Sequence, residues 1–117
     1  MTAPLSTPSF WVLTALAGGR RHGYEILRET ADASRGAVTL KVTTLYSALE
    51  RLVREGSIVA DGEEIVSGRA RRYYVLSDDG AARLADAADA LESQARTARA
   101  RLAAPRATPI RGAAVRP

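Results

Sequence analysis

The 117-residue chain has no cysteine. Disulfides, thiol nucleophiles and thiolate metal sites are thereby excluded, and the composition fits a reducing compartment. There is a single histidine, His22, so a catalytic or metal-binding role for it would lack partners. His22 reads as a turn residue that packs or bonds locally, with a backbone phosphate contact as the alternative. Aromatic residues make up only 5% of the chain, few for the exposed stacking surfaces of an RNA-binding accessory protein. The longest apolar run, around Phe10 to Ala17, is far short of the roughly 20 residues that cross a bilayer. Met1 to Ser9 lacks the charges that precede a signal-peptide core. The expectation is a soluble, cytoplasmic protein that makes no use of a membrane. No phosphate-cradling glycine loop, nucleophile elbow or paired acidic site occurs, and Asp61, Glu63 and Glu64 read as a solvated loop. The chain is expected to be no enzyme and to hold no cofactor and no metal.

What is present is arginine. The formal charge is +4 and Lys41 is the only lysine, so nearly all the positive charge is guanidinium, a planar group suited to phosphate and guanine. An arginine- and alanine-rich composition can also reflect a GC-rich genome, so where the arginines sit matters more than their number. The length suits one domain, small enough that oligomerisation would help stabilise it.

The chain reads as three short helices, a hairpin and a long helix. Thr7-Pro8 starts the first helix, with Thr7 as its cap; Phe10, Leu13, Leu16 and Ala17 form one face, and Gly18-Gly19 ends it. The second runs from about Tyr24 to Ser34 and buries Ile26, Leu27, Thr30 and Ala31. Residues 37–40 are short and extended. The third spans about Val42 to Glu55, with Leu45, Ala48, Leu49, Leu52 and Val53 as its stripe and either Thr39 or Thr43 as its cap. Strands at Ser57–Ala60 and Arg71–Leu76 flank a longer loop, Asp61–Arg69. Ser77 caps a last helix that continues to about Leu102, with Asp78 and Asp79 complementing its dipole. Along it Leu84, Ala88, Leu91, Ala95, Ala98 and Leu102 repeat at spacings of four and three, a heptad seam that wants another helix against it.

With its leucines facing a core, the third helix leaves Thr43, Thr44, Tyr46, Ser47, Glu50, Arg51 and Arg54 on or near its outer face. The first half of that face is small and hydroxyl-bearing, which lets a helix approach base edges. The bland alternative is an ordinary solvated face. Gly68-Arg69-Ala70-Arg71-Arg72-Tyr73-Tyr74 sets three arginines within four positions beside two tyrosines. Arginines on a hairpin reach phosphates or a minor groove, or else guard a sheet edge. Alternation along a strand leaves one of Tyr73 and Tyr74 for the core. Trp11 and Phe10 read as core, with Trp11 alternatively bordering a ligand cavity or a dimer contact.

Several segments together resemble the PadR family of transcriptional regulators. They are His22-Gly23-Tyr24-Glu25-Ile26, Thr44-Leu45-Tyr46-Ser47-Ala48-Leu49-Glu50-Arg51-Leu52, Glu55-Gly56, Gly68 through Ser77, and Gly80. Order and spacing match over roughly residues 8–102, and ending after one long helix resembles the family's short-C-terminus members. The resemblance implies a mainly α fold with a small β-hairpin: a winged helix-turn-helix plus a long C-terminal dimerisation helix. It also implies a homodimer, double-stranded DNA with a palindromic operator as partner, and usually repression, which in many members a small aromatic or drug-like inducer relieves. Carried over, the recognition positions fall on Thr43, Thr44, Tyr46 and Ser47, to which the outer face adds Arg51. Wing positions fall on Arg69, Arg71 and Arg72, and Tyr24 and Lys41 join them as backbone contacts. The resulting layout is a flexible arm (1–7), a winged-helix domain (8–76), a dimerisation helix (77–102) and a disordered basic tail (103–117). The family often has Ser-Pro-Gly before its Thr-Leu-Tyr and proline after it. Here those places hold Lys41, Val42, Thr43 and Ser47, which leaves the helix start less pinned. The alternative function is a winged-helix protein-interaction module without DNA binding, against which the wing arginines speak.

Overall fold

A computed structural model of the chain describes residues 4–106. The elements run α1 (Thr7–Ala17), β1 (Arg21–His22), α2 (Gly23–Ala33), α3 (Val42–Arg54), β2 (Ile58–Val66), β3 (Arg69–Leu76) and α4 (Asp78–Ala103). The three strands form one antiparallel sheet in the order β1-β3-β2. The three short helices and the base of the hairpin enclose one core, built on Val12, Leu13, Leu16, Ile26, Leu45, Leu49, Leu52 and Ile58. Losing any one of the large leucines to alanine would cost about 2–5 kcal/mol.

Helix starts show where side-chain chemistry overrides the simplest reading. The cap of α1 is Ser6, whose hydroxyl accepts from the Ser9 amide, and Thr7 lies inside the helix. Leu5 packs against the core, so residues 5–7 are no loose arm. The buried face of α1 is Ser9, Val12, Leu13, Ala15 and Leu16, while Phe10 is half-buried and Ala17 exposed. In α2 the cap is His22. Its Nδ1 accepts from the Glu25 amide at 3.4 Å while the Glu25 carboxylate accepts from the His22 amide at 3.1 Å, a reciprocal capping box. Neither Thr39 nor Thr43 caps α3; Lys41 stands at its cap position and supplies no side-chain bond. Val53, expected in the stripe, is 42% exposed, because it sits at the edge of the buried arc centred on Leu45, Ala48, Leu49 and Leu52.

The hairpin is longer than expected. The polar stretch Asp61–Val66 lies within a strand rather than forming a loop, with Glu63–Val66 paired to Arg69–Arg72, and only Ser67 and Gly68 turn the chain. Both have positive φ, 53° and 76°, the requirement of the two-residue turn that matches the right-handed twist of paired strands. Alternation along the sequence is weak here because the distal half of the hairpin has no buried face. At the base, Tyr74 is the tyrosine that enters the core and Tyr73 is half-buried.

At 26 residues α4 is about 39 Å long. Ser77 caps it through the Gly80 amide. Gly80 rests directly on the Ser57 backbone, and a β-carbon there would overlap the Ser57 carbonyl oxygen. Arg83 holds the same junction, donating to Glu55 at 2.7 Å and to the Ser57 hydroxyl at 3.0 Å. Beyond Ala88 every described residue of α4 is exposed. The helix ends at Ala103, inside the segment expected to be a disordered tail. Residues 1–3 of the arm and 107–117 of the tail lie outside the described residues.

Candidate nucleic-acid interface

The residues singled out in the α2 and α3 motifs meet physically. Tyr46 lays its phenol against the first residue of α2: a β-carbon at Gly23 would stand 2.8 Å from the Tyr46 hydroxyl. The glycine of one motif thus makes room for the tyrosine of the other. Tyr46 remains 50% exposed and Tyr24, one residue on from Gly23, is 62% exposed.

On α3 the outward arc is Thr43, Ser47, Glu50 and Arg54, all exposed. Tyr46, Val42 and Val53 occupy the flank that faces α2 and the hairpin. Thr44 and Arg51, expected with the outward set, lie half-buried on the opposite flank. Arg51 turns toward α1 and donates to the Ser9 hydroxyl at 3.2 Å. Thr44 and Arg51 are seven residues, about two helical turns, apart, so the same helical face takes both. Lys41 is exposed at the start of α3.

A groove of about 980 Å³ runs between α3, the start of α2 and the inner side of the hairpin, and Tyr46, Glu50, Arg54, Arg69, Arg71 and Arg72 line it. The wing arginines are exposed. Arg72 comes within 3.8 Å of Glu63, a loose surface pair that contributes well under about 1 kcal/mol and leaves the guanidinium available. Next to them the Tyr73 hydroxyl donates to Glu64 at 3.1 Å. Partial burial, then that hydrogen bond to a carboxylate, push the phenol above its ordinary value, so it stays a donor. Val42, Tyr46, Glu50 and Arg54 of α3 and the wing arginines therefore share one groove.

The second surface is on α4. Leu84 is half-buried against the core and Ala88 is half-buried, whereas Leu91 is 50% and Leu102 69% exposed, with Ala95 and Ala98 exposed between them. Trp11 is half-buried, edge-on to Phe10 at 5.6 Å. It lines a groove of about 1000 Å³ between the N-terminal segment, α1 and the first half of α4, with Leu5, Phe10, Ala87, Leu91 and Gln94. Among the described residues no helix is long and apolar enough to cross a membrane.

Sequence reasoning missed β1 altogether: two residues between a glycine turn and a helix carry no periodicity. It also passed over Gly23 as a contact, since nothing local signals a neighbour that arrives from α3.

This arrangement recurs in known proteins. Transcriptional regulator Rv3488 of Mycobacterium tuberculosis is 39% identical over 67 residues, which are 57% of this chain and 62% of that protein. The chain spans about three fifths of the length of the curated relatives it matches. A transcriptional regulator from Clostridium thermocellum superposes with a TM-score of 0.68 at 26% identity, over 81% of this chain and 95% of that one. Bacillus subtilis PadR, solved in complex with operator DNA, shares the fold at a TM-score of 0.62 and 21% identity, over 89% of this chain and 52% of its own. Residues 12–86, from within α1 to about a third of the way along α4, match the transcriptional regulator PadR-like family. With three helices, a paired wing and a long final helix in that order, the chain belongs to this family.

Proposed function

We propose that the chain is a homodimeric, sequence-specific DNA-binding regulator, acting as a repressor that a small aromatic or drug-like molecule relieves. The observation that carries the DNA reading is the convergence of Tyr46, Glu50 and Arg54 of α3 with Arg69, Arg71 and Arg72 along one groove. In this reading Thr43, Tyr46 and Ser47 meet base edges in the major groove while the wing arginines, Lys41 and Tyr24 meet the flanking backbone. The uncapped first turn of α3 supports it, because free amides at the positive end of a helix favour an anion. Arg51, tied to Ser9, drops out of the contact set, and Thr44 supports the helix position from the α1 side.

The unpartnered seam of α4 supports the dimer. Its charges support an antiparallel pairing. Asp78, Asp79, Asp86, Asp89 and Glu92 occupy the stretch up to the middle of the helix with Arg83, and Arg96, Arg99 and Arg101 follow with no acid among them. Antiparallel helices set each basic half beside an acidic one, and parallel helices would set like beside like. Such a dimer holds two α3 helices about 34 Å apart, one turn of a palindromic duplex. An inducer fits the groove beside Trp11, where it acts by preferring one arrangement of the two helices over the other.

The test uses the full chain and a duplex from its own promoter. Ser47→Ala is expected to weaken binding to that duplex by about 1–3 kcal/mol and to leave random duplex almost unaffected. Equal losses on both would reassign Ser47 to phosphate contact and remove the sequence-reading role from the centre of α3.

A further inference from the structure

Between its two paired stretches β2 has one residue more than β3. Ala60 pairs with Tyr74 and Glu63 with Arg72, so Asp61 and Gly62 together oppose Tyr73. A bulge of this kind bends a hairpin and increases its twist. Every residue distal to it, the wing arginines included, takes its direction from this point.

Arg20, in the turn before β1, reaches into the bulge. Its Nε and Nη2 donate to the Asp61 carbonyl oxygen at 3.0 and 2.7 Å, and Nε also lies 3.0 Å from the Asp61 carboxylate. Its guanidinium carbon stands 3.9 Å from the centre of the Tyr73 ring. Gly62 has φ +93°, and a β-carbon there would meet the Arg20 Nη2 at 2.9 Å. On the strand side, His22 pairs with Tyr73 in register and packs its ring edge-on at 5.3 Å. One guanidinium thus binds the carbonyl of the bulge residue Asp61 and covers the single residue opposite the bulge.

An isolated exposed ion pair would contribute little. Here three hydrogen bonds and a stacked ring act on one planar group, which lysine does not reproduce. Because the fork is spent on Asp61 and its face on Tyr73, Arg20 differs from Arg69 and Arg71, which are exposed along the groove beside α3. The geometry points to Arg20 as a positioning residue that locks the bulge and fixes the direction of the wing arginines relative to α3. Its bearing on DNA rests on the DNA-binding reading above; its bearing on the wing does not.

Two measurements on the full chain test it. In the free protein, Arg20→Ala and Arg20→Lys are both expected to speed amide hydrogen exchange across residues 63–72 about tenfold while leaving α3 unchanged. Unchanged wing protection in either variant would overturn the proposal. On promoter duplex, both variants are expected to bind about tenfold more weakly, a coupling of the size found between residues in one network. In a chain already carrying Arg71→Ala and Arg72→Ala, Arg20→Lys should cost nothing further. A lysine variant that binds like wild type would mean that Arg20 acts through its charge alone, and an Arg20→Lys loss that persists in the stripped wing would mean that its guanidinium contacts DNA directly; either result would sink the positioning role. If the wild-type chain binds no duplex, the DNA reading fails, and hydrogen exchange alone decides whether Arg20 holds the bulge.

Discussion

At Gly80 two residue-level effects oppose each other. Helix propensity favours alanine over glycine inside a helix by about 1 kcal/mol. The Ser57 carbonyl, however, occupies the space of a β-carbon at this position, and overpacking against backbone costs about 1–3 kcal/mol or more. Packing should win, because the atom in the way is main chain and cannot rotate aside. Gly80→Ala is therefore expected to lower unfolding stability by about 1–3 kcal/mol, measured by urea titration at fixed protein concentration; a stabilised variant would mean that α4 starts off the hairpin base. The sequence marks Gly80, Gly23 and Tyr46 as parts of separate motifs. Their physical reasons lie in contacts between distant stretches of chain, which no local pattern encodes. Arg51 was misread for a similar reason: an arginine adjoining the outer arc is drawn inward by Ser9 of α1, a partner that only the packed fold supplies.

Elements whose periodicity is enforced by burial were legible. The leucines of α3 predict its inner face, and the serine cap with two following aspartates predicts the start of α4 to the residue. The wing was legible at its base, where Ile58, Tyr74 and Leu76 meet the core, and illegible beyond it, where both faces meet water and pairing rests on the turn and the bulge. The α4 seam shows the opposite situation, a clear apolar repeat that none of the described residues covers from Leu91 onward. Burying Leu91 against a second α4 leaves no place for a carboxylate, whose desolvation costs several kcal/mol. Leu91→Glu is expected to yield a folded monomer by light scattering with an unchanged helical signal for the core domain. A dimer of wild-type mass would show that some other surface joins the chains.

The molecule as a whole is a small domain with a rod attached. It measures 70 Å in its longest direction and 29 and 23 Å across, with a radius of gyration of 19.8 Å against about 13 Å for a compact domain of 100 residues. From Leu91 onward the rod exposes its apolar seam, and in the proposed dimer a second copy matches it in length and in charge order. The central claim is that two chains, joined through these rods, present two α3 helices to one duplex. It is tested most directly by titrating promoter duplex with the full chain and reading the mass of the complex by light scattering or native mass spectrometry at low and moderate salt. The account predicts two chains on one duplex, with affinity falling linearly in log-log salt as phosphate contacts are screened. One chain per duplex, or no complex at low salt, would contradict it.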